Sequence, residues 1–469
     1  MCGLVGGLWI QPTTIERGIA ALIHRGPDQQ SIFQAGDVVL GHTRLAILDL
    51  DPRSNQPFHY GKVALAFNGE IWNYKAVRAQ LQTLGKTFTT TGDTEVVAAA
   101  LQTWGPAALA RLNGMFALAW TNDGKTLHLA RDRFGEVPLH YAPTKPFVFA
   151  SELKALLALR VQPAAITDVG PGERLEVSAK GIRKARWYDP PARPVPMTPE
   201  AARASLRGLI ERGSRERAIS DVPVCTLLSG GIDSAAVAYF LAQERPGLVA
   251  YTAVLDRKSK DLRAAREVAA ALRIELREIR VPPPSADDLA KVVRVIEQPY
   301  KAQVEIGWAC LRLAQAMHSD GFKVTFSGEG SDELWGSYGF AYHALKTQDW
   351  HTYRKNLFLT QARKNFPRCN KVFMAHSVEC RLPFLHPPLV EFALSLPQRV
   401  VQDGKARPKA VIQDAMAGLL PAIVTRRPKV AFQDGMGLKA VIESRLASPQ
   451  SFYAAEYRRT FGRQSRASA

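Results

Sequence analysis

The sequence predicts two domains of different class: an α+β domain built on antiparallel sheets over residues 1–188, and a doubly wound parallel α/β domain with additional helices over residues 201–457. Three observations predict this. At 469 residues the chain exceeds what one hydrophobic core organises, so two or three domains are expected. The run Asp189-Pro190-Pro191-Ala192-Arg193-Pro194-Val195-Pro196-Met197-Thr198-Pro199 interrupts regular structure and reads as a linker spanning 189–200. On the two sides of this linker the order of the elements differs.

Before it, short apolar and β-branched runs alternate with turns at 38–48, 63–67, 116–120, 127–131 and 147–150. Helical patterns intervene at 76–84 and 94–104, too few to cover every strand connection as a parallel sheet requires. After the linker the order becomes strand, glycine turn, helix, strand. Residues 222–228 read as a buried strand, 229–231 as the turn and 235–243 as a helix. Strands at 248–255 and 275–281 flank a helical segment at 262–272, and 323–327 is a further strand. Beyond residue 340 the signals become helical, there is no internal repeat, and 458–469 lacks apolar periodicity and reads as a loose basic tail.

Composition bounds the function. With 46% hydrophobic and 22% charged residues the chain is of ordinary globular composition, and no apolar run reaches the roughly 18 residues of a membrane span. The start of the chain lacks a signal peptide's basic and apolar regions, so a cytoplasmic location is expected. Five cysteines, odd in number and without a CxxC pair, suggest neither a disulfide framework nor a zinc site. The net charge of +18 is concentrated after residue 190, where 41 basic residues face 27 acidic ones; up to 190 the counts are 20 and 16. Such a field steers anions such as ATP or an acidic acceptor, while the absence of a nucleic-acid-binding module leaves RNA or DNA a less favoured partner.

Three segments carry chemistry. Cys2 follows the initiator methionine; once Met1 is removed, one residue presents a thiol and an α-amine that titrates at roughly 8, a nucleophile with its own base. Ser229-Gly230-Gly231-Ile232-Asp233-Ser234 lies between a hydrophobic strand and a helix. Its glycines admit close backbone approach, Ser229, Ser234 and the helix-start amides suit a phosphate, and Asp233 suits magnesium. The loop is no Walker sequence, because the Gly-Lys-Ser/Thr ending is missing. Ser327-Gly328-Glu329-Gly330-Ser331-Asp332-Glu333 follows another strand, and loops at the carboxyl ends of strands converge in such sheets. Asp332 is a second candidate magnesium ligand and Glu329 a candidate base beside the attacked group.

The 229–234 segment resembles the pyrophosphate loop of ATP pyrophosphatases, which cleave between the α and β phosphates to give AMP and pyrophosphate. Nearly the whole chain resembles glutamine-dependent asparagine synthetases of the class II amidotransferase superfamily. The landmarks occur in order: Cys2-Gly3, Arg25-Gly26-Pro27-Asp28, His42-Thr43-Arg44, Asn68-Gly69-Glu70, Gly92-Asp93-Thr94-Glu95, Ala130-Arg131-Asp132-Arg133-Phe134-Gly135 and Ser151-Glu152-Leu153-Lys154. In the second half Val378-Glu379-Cys380-Arg381-Leu382-Pro383-Phe384-Leu385 and Arg426-Arg427-Pro428-Lys429 match as well.

The resemblance implies a four-layer αββα sandwich of the N-terminal-nucleophile hydrolase type for the first domain. It implies that Arg44 binds the glutamine carboxylate, that Glu70 and Asp93 bind its α-amine, and that Asn68 and Gly69 form the oxyanion hole. Ser229, Gly230, Gly231, Asp233, Ser234, Val254, Ser327, Gly328 and Lys429 would bind ATP and pyrophosphate, with Mg2+ on Asp233 and Asp332. The implied enzyme is a carbon–nitrogen ligase with glutamine, ATP and a carboxylate acceptor as substrates, and a homodimer is open.

Departures cluster where the acceptor should bind. Family members carry an acidic residue, a threonine pair and an arginine after the position of Glu297; here the stretch is Gln298-Pro299-Tyr300-Lys301-Ala302-Gln303-Val304-Glu305-Ile306-Gly307-Trp308. The family's Pro-Phe-Leu-Asp becomes Pro383-Phe384-Leu385-His386. A pocket including Lys301, Tyr338, Arg381 and His386 is expected. Aspartate and another carboxylate (a metabolite, a glycan or a modified nucleobase) both stay open as the acceptor. A noncatalytic RNA-binding or regulatory protein on this scaffold is the remote alternative.

Overall fold

The computed structural model describes residues 1–190, 194–338, 345–403, 407–427 and 437–462. Two six-stranded sheets, both antiparallel throughout, form the first domain. In spatial order the first runs Thr167–Asp168, His140–Ala142, Phe147–Ala150, Gly3–Leu8, Val38–Arg44, Gln29–Ala35. The second runs Gly181–Arg186, Glu173–Ser178, Leu127–Arg131, Gly114–Thr121, Val63–Ile71, Phe58–Tyr60.

Strand alternation sorts the side chains into layers. On Val63–Ile71, Ala64 and Ala66 face the first sheet, while Leu65 and Phe67 face the helices Tyr74–Thr83 and Thr94–Trp104. Gly114–Thr121 repeats this with Met115, Ala117 and Ala119 inward and Phe116, Leu118 and Trp120 toward the helices. Small residues on the inner face let the two sheets approach, and each large outer side chain contributes about 1.5–3 kcal/mol by leaving water. Helices Pro12–Ala20 and Leu153–Ala158 cover the far face of the first sheet. The result is the expected αββα sandwich.

The second domain is a five-stranded parallel sheet in the order Glu275–Arg280, Val249–Val254, Val224–Leu227, Val324–Phe326, Glu379–Arg381. The strand order reverses between the parallel neighbours Val224–Leu227 and Val324–Phe326, the switch point at which such sheets open a crevice at the strands' carboxyl ends. Helices Pro199–Arg217, Ile232–Glu244, Lys260–Leu272 and Lys301–Ser319 pack about it, begun where the sequence offers caps: Thr198 accepts from Ala201 N–H and Ser259 from Leu262 N–H.

Two expectations are corrected. The region beyond 340 is not solely helical, since Glu379–Arg381 adds the fifth strand; three residues are too short for any period to register. Residues 458–461 are not tail: helix Pro449–Phe461 continues through them because Tyr457 and Phe461 are buried.

The two domains meet over buried charges. Glu297 accepts from the backbone of Leu153 and Lys154 at 2.9 Å each and from Lys371 Nζ at 2.5 Å. Arg217 reaches Glu136 at 3.3 Å, and burial pushes the Glu136 carboxyl up to about 8 even against that arginine.

Candidate active sites

Cys2 immediately precedes the central strand Gly3–Leu8 and is buried between the two sheets. Its N–H donates to Asn68 Oδ1 at 2.7 Å, and its carbonyl accepts from Arg25 Nε at 2.8 Å. The Asn68 contact fixes the amide's orientation: with Oδ1 spent on Cys2, Nδ2 is the end left for an oxyanion, and its partner Ser151 Oγ lies 3.5 Å away. Gly69 adopts φ +149°, and a Cβ there would lie 2.0 Å from the Met115 carbonyl, so only glycine fits. Burial raises the Cys2 thiol pKa, opposed by the amino terminus, the Leu45 backbone and Arg44.

Arg44 and Glu70 lie within electrostatic reach of the Cys2 thiol, and Asp93 within reach of Glu70. Arg44 is held by the Asp51 and Asp49 carbonyls and by Asn55 Oδ1, at 3.1, 2.5 and 2.8 Å. Asp93 accepts from Ile71 N–H at 2.9 Å, yet burial still pushes its carboxyl up to about 6. Burial, with Glu379 and Asp93 close by, raises Glu70 well above the usual range. Met1 is present, and its ammonium is on Glu379 Oε2 at 2.5 Å.

The second centre lies in the crevice of the parallel sheet. Gly230 has φ +77°, and a Cβ would sit 2.2 Å from the Asp261 carbonyl; Gly231 caps helix Ile232–Glu244. Ser229 and Ser234 hydroxyls are 3.0 Å apart across the turn. A Cβ on Gly328 would come within 2.7 Å of Ser234 N, so the two loops touch. Val254 ends the neighbouring strand, and Ser327 N–H donates to the Arg381 carbonyl at 3.0 Å.

Lys409, which no motif singles out, lies between the two aspartates. Its Nζ is 2.5 Å from Asp233 Oδ2 and 2.6 Å from Asp332 Oδ1. Burial works against its charge, but the two carboxylates hold its pKa above the ordinary lysine value. Two hard carboxylate oxygens converging on one cation suit Mg2+ shared with phosphate oxygens, and the ammonium is the counter-ion there in this structure. Among the described residues no cluster of three or more metal-ligating side chains exists. Lys429 lies outside the described residues; nearby Arg427 pairs with Asp261 behind the loop.

Glu329 Oε2 accepts from Arg368 Nη2 at 2.5 Å, and Arg368 Nε donates to Gln303 Oε1 at 2.8 Å. Gln303 Nε2 continues to Asn365 Oδ1 at 2.7 Å, and Asn365 Nδ2 donates to Tyr338 Oη at 3.0 Å and to Glu333. Tyr338 in turn donates to Glu333 at 2.9 Å, and burial beside Glu329 and Asp332 pushes Glu333 up to about 7. Arg368 and Asn365 come from helix Trp350–Met374 and belong to none of the motif matches; no local pattern marks them.

Of the expected acceptor pocket, the structure brings only Tyr338 into this network. Lys301 and Glu305 share the opposite face of their helix from Gln303, and Lys301 pairs with Glu443 at 2.5 Å and Glu305 at 3.4 Å. His386 is buried against helix Pro199–Arg217, with Nδ1 3.5 Å from Glu216 and its pKa pushed by burial down to about 3. Arg381 points to the other domain: its Nη2 lies 3.7 Å from Glu70 Oε1.

The described helices include none long and apolar enough to cross a membrane. Residues 1–188 match the glutamine amidotransferase domain family, and 205–369 with 358–449 match the asparagine synthase family. The chain is 31% identical over 467 residues to asparagine synthetase B [glutamine-hydrolyzing] of Escherichia coli (strain K12), covering 93% of this chain and 83% of that one. It is 33% identical over 442 residues to asparagine synthetase [glutamine-hydrolyzing] 2 of Arabidopsis thaliana, covering 89% and 75%.

Proposed function

The chain belongs to the glutamine-hydrolysing asparagine synthetase family, a glutamine-dependent amidotransferase fused to an ATP-using synthetase, and on that premise we propose a two-centre mechanism for it. Cys2, freed of Met1, adds its thiolate to the side-chain amide of glutamine while its own amine moves the proton. Asn68 Nδ2 and Gly69 N–H stabilise the oxyanion, Arg44 holds the carboxylate, and Glu70 and Asp93 hold the α-ammonium. Ammonia leaves, and water hydrolyses the thioester to glutamate.

In the crevice, the acceptor carboxylate attacks the α-phosphorus of ATP, giving an acyl-adenylate and pyrophosphate. Ser229, Gly230, Gly231 and Ser234 cradle the pyrophosphate, with Val254, Ser327, Gly328 and Lys429 completing the nucleotide site. Mg2+ on Asp233 and Asp332 would neutralise phosphate charge. Ammonia then displaces AMP, with Glu329 taking up the proton lost from nitrogen.

The observation that carries this reading is that one helix, Trp350–Met374, contacts residues of both centres. Arg25 holds the Cys2 carbonyl and also donates to Asn370, two residues from the Arg368 that pairs with Glu329. That link supports internal transfer of ammonia, which in water would become an unreactive ammonium. The family names aspartate as the first acceptor to test. A different carboxylate is the second reading, favoured by the altered 298–308 stretch and by Arg368 being already paired with Glu329. Five free cysteines suit a cytoplasmic setting. The test is release of AMP from ATP with glutamine or ammonia across candidate carboxylates, aspartate first. Release of ADP and phosphate instead would overturn the reading.

A further inference from the structure

Arg381 belongs to the synthetase sheet yet faces Glu70 of the amidotransferase domain. Its guanidinium is fully buried and fixed on three sides. Nε donates to Glu379 Oε1 at 2.7 Å, and Nη1 donates to the Arg217 and Ile219 carbonyls at 2.5 Å each. Its plane lies over Trp72, 4.9 Å from the ring centroid. What remains is Nη2, which has no hydrogen-bond partner and sits 3.7 Å from Glu70 Oε1; Glu70 Oε2 is likewise buried without a partner. Two complementary buried groups with unspent hydrogen-bonding capacity need an explanation beyond packing, and a polar ligand would supply one.

We propose that Arg381 is a positioning residue of the glutaminase: acting through Glu70, it maintains the subsite for the α-ammonium group of glutamine. The inference rests on the glutaminase reading above and adds a residue from the other domain to it. The physical need is a charge balance. Glu70, Asp93 and Glu379 are three buried carboxylates in one neighbourhood, and burial together with the other two carboxylates drives Glu70 toward its neutral acid. A neutral carboxyl no longer pairs with an ammonium. Arg381 and the Met1 ammonium oppose this, but Met1 is lost when Cys2 is freed, which leaves Arg381, tied in place by backbone carbonyls, as the cation that stays. The free Glu70 Oε2 is then available to the substrate, opposite Asp93.

The experiment compares glutamine with 4-carbamoylbutanoate, which is glutamine without its α-amine, as substrates of full-length wild type, Arg381→Gln and Arg381→Lys. Arg381→Gln should raise the KM for glutamine at least about tenfold, leave the KM for the des-amino analogue within about twofold, and change kcat little, because Cys2, Asn68 and Gly69 are untouched. Arg381→Lys, which keeps the charge, should recover part of the loss. If Arg381→Gln does not fold, the lysine variant alone decides, since its shorter reach to Glu70 must still raise the ratio of the two KM values. An unchanged ratio in the variant that folds, or an equal loss for both substrates, overturns the inference. A wild type that hydrolyses neither substrate overturns instead the glutaminase reading on which it rests.

Discussion

Arg25 and Asn370 join the two domains through one buried hydrogen bond, Nη2 to Oδ1 at 2.9 Å. The same arginine holds the Cys2 carbonyl and makes a 2.6 Å pair with Glu152, so the position of Cys2 is referred directly to a helix of the synthetase domain. Asn370→Ala should cost about 1.5–3 kcal/mol of stability, the range for a buried hydrogen bond to a charged group. It should also raise the glutamine hydrolysed per AMP released. Parallel assays of glutamate and AMP check this; an unchanged ratio would show that the contact serves packing alone.

Removing the thiol separates the nitrogen sources. Cys2→Ala should abolish glutamine-dependent amidation and leave the ammonia-dependent reaction largely intact, because the crevice residues are unaltered. Retention of Met1, readable by mass spectrometry, should mimic the substitution, since it leaves no free amine on Cys2. Equal loss with both nitrogen donors would contradict the two-centre scheme.

Asp233→Asn and Asp332→Asn should each lower AMP and pyrophosphate formation about 10²–10³-fold while glutamine hydrolysis persists. Lys409→Met gives a readout independent of turnover. Without the ammonium between them, the two aspartates repel, and a bound divalent cation then stabilises the fold more strongly. The rise in melting temperature on adding MgCl2 should be larger in Lys409→Met than in wild type. An equal rise would separate magnesium from this pair of aspartates.

The acidity of Asp93 sets a pH limit on glutamine use. Its pKa is raised by burial to about 6, with Glu379 adding to the rise and Ile71 N–H and Arg381 opposing it. A carboxyl raised in this way is ionised above that pH and neutral below it, so its attraction for an ammonium is present above pH 6 and fades as pH falls. The kcat/KM for glutamine should drop toward tenfold per unit below pH 6, and more steeply than for 4-carbamoylbutanoate. Parallel profiles for the two substrates would exclude Asp93 as the ammonium partner.

Much of the fold was legible in the sequence because local needs are written locally. The 229–234 loop requires glycine at 230, where a Cβ would strike Asp261, and the alternation of alanine with large apolar residues on two strands announces two differently packed faces. Sequence could not reveal Lys409, Arg368 or Asn365, whose significance comes from partners 27 or more positions away. Arg381 and His386 were misplaced for a related reason. A motif says that its residues matter, but which neighbour each faces depends on a three-residue strand and on a helix nearly 170 residues earlier.

The outermost strand of the parallel sheet, Glu379–Arg381, has a consequence for how such a protein can evolve. Arg381 faces Glu70 and Arg217 reaches Glu136, while Glu297 accepts from Leu153 and Lys154 N–H across the boundary. Splitting the gene at the proline-rich segment would leave several buried polar side chains, the charged Arg217, Glu297 and Arg381 among them, without the partners they have across the boundary, and a buried charge with an unmet partner is costly. Domains that touch through small wet surfaces are free to be inherited apart; these two are bound to a common lineage by the charges they share.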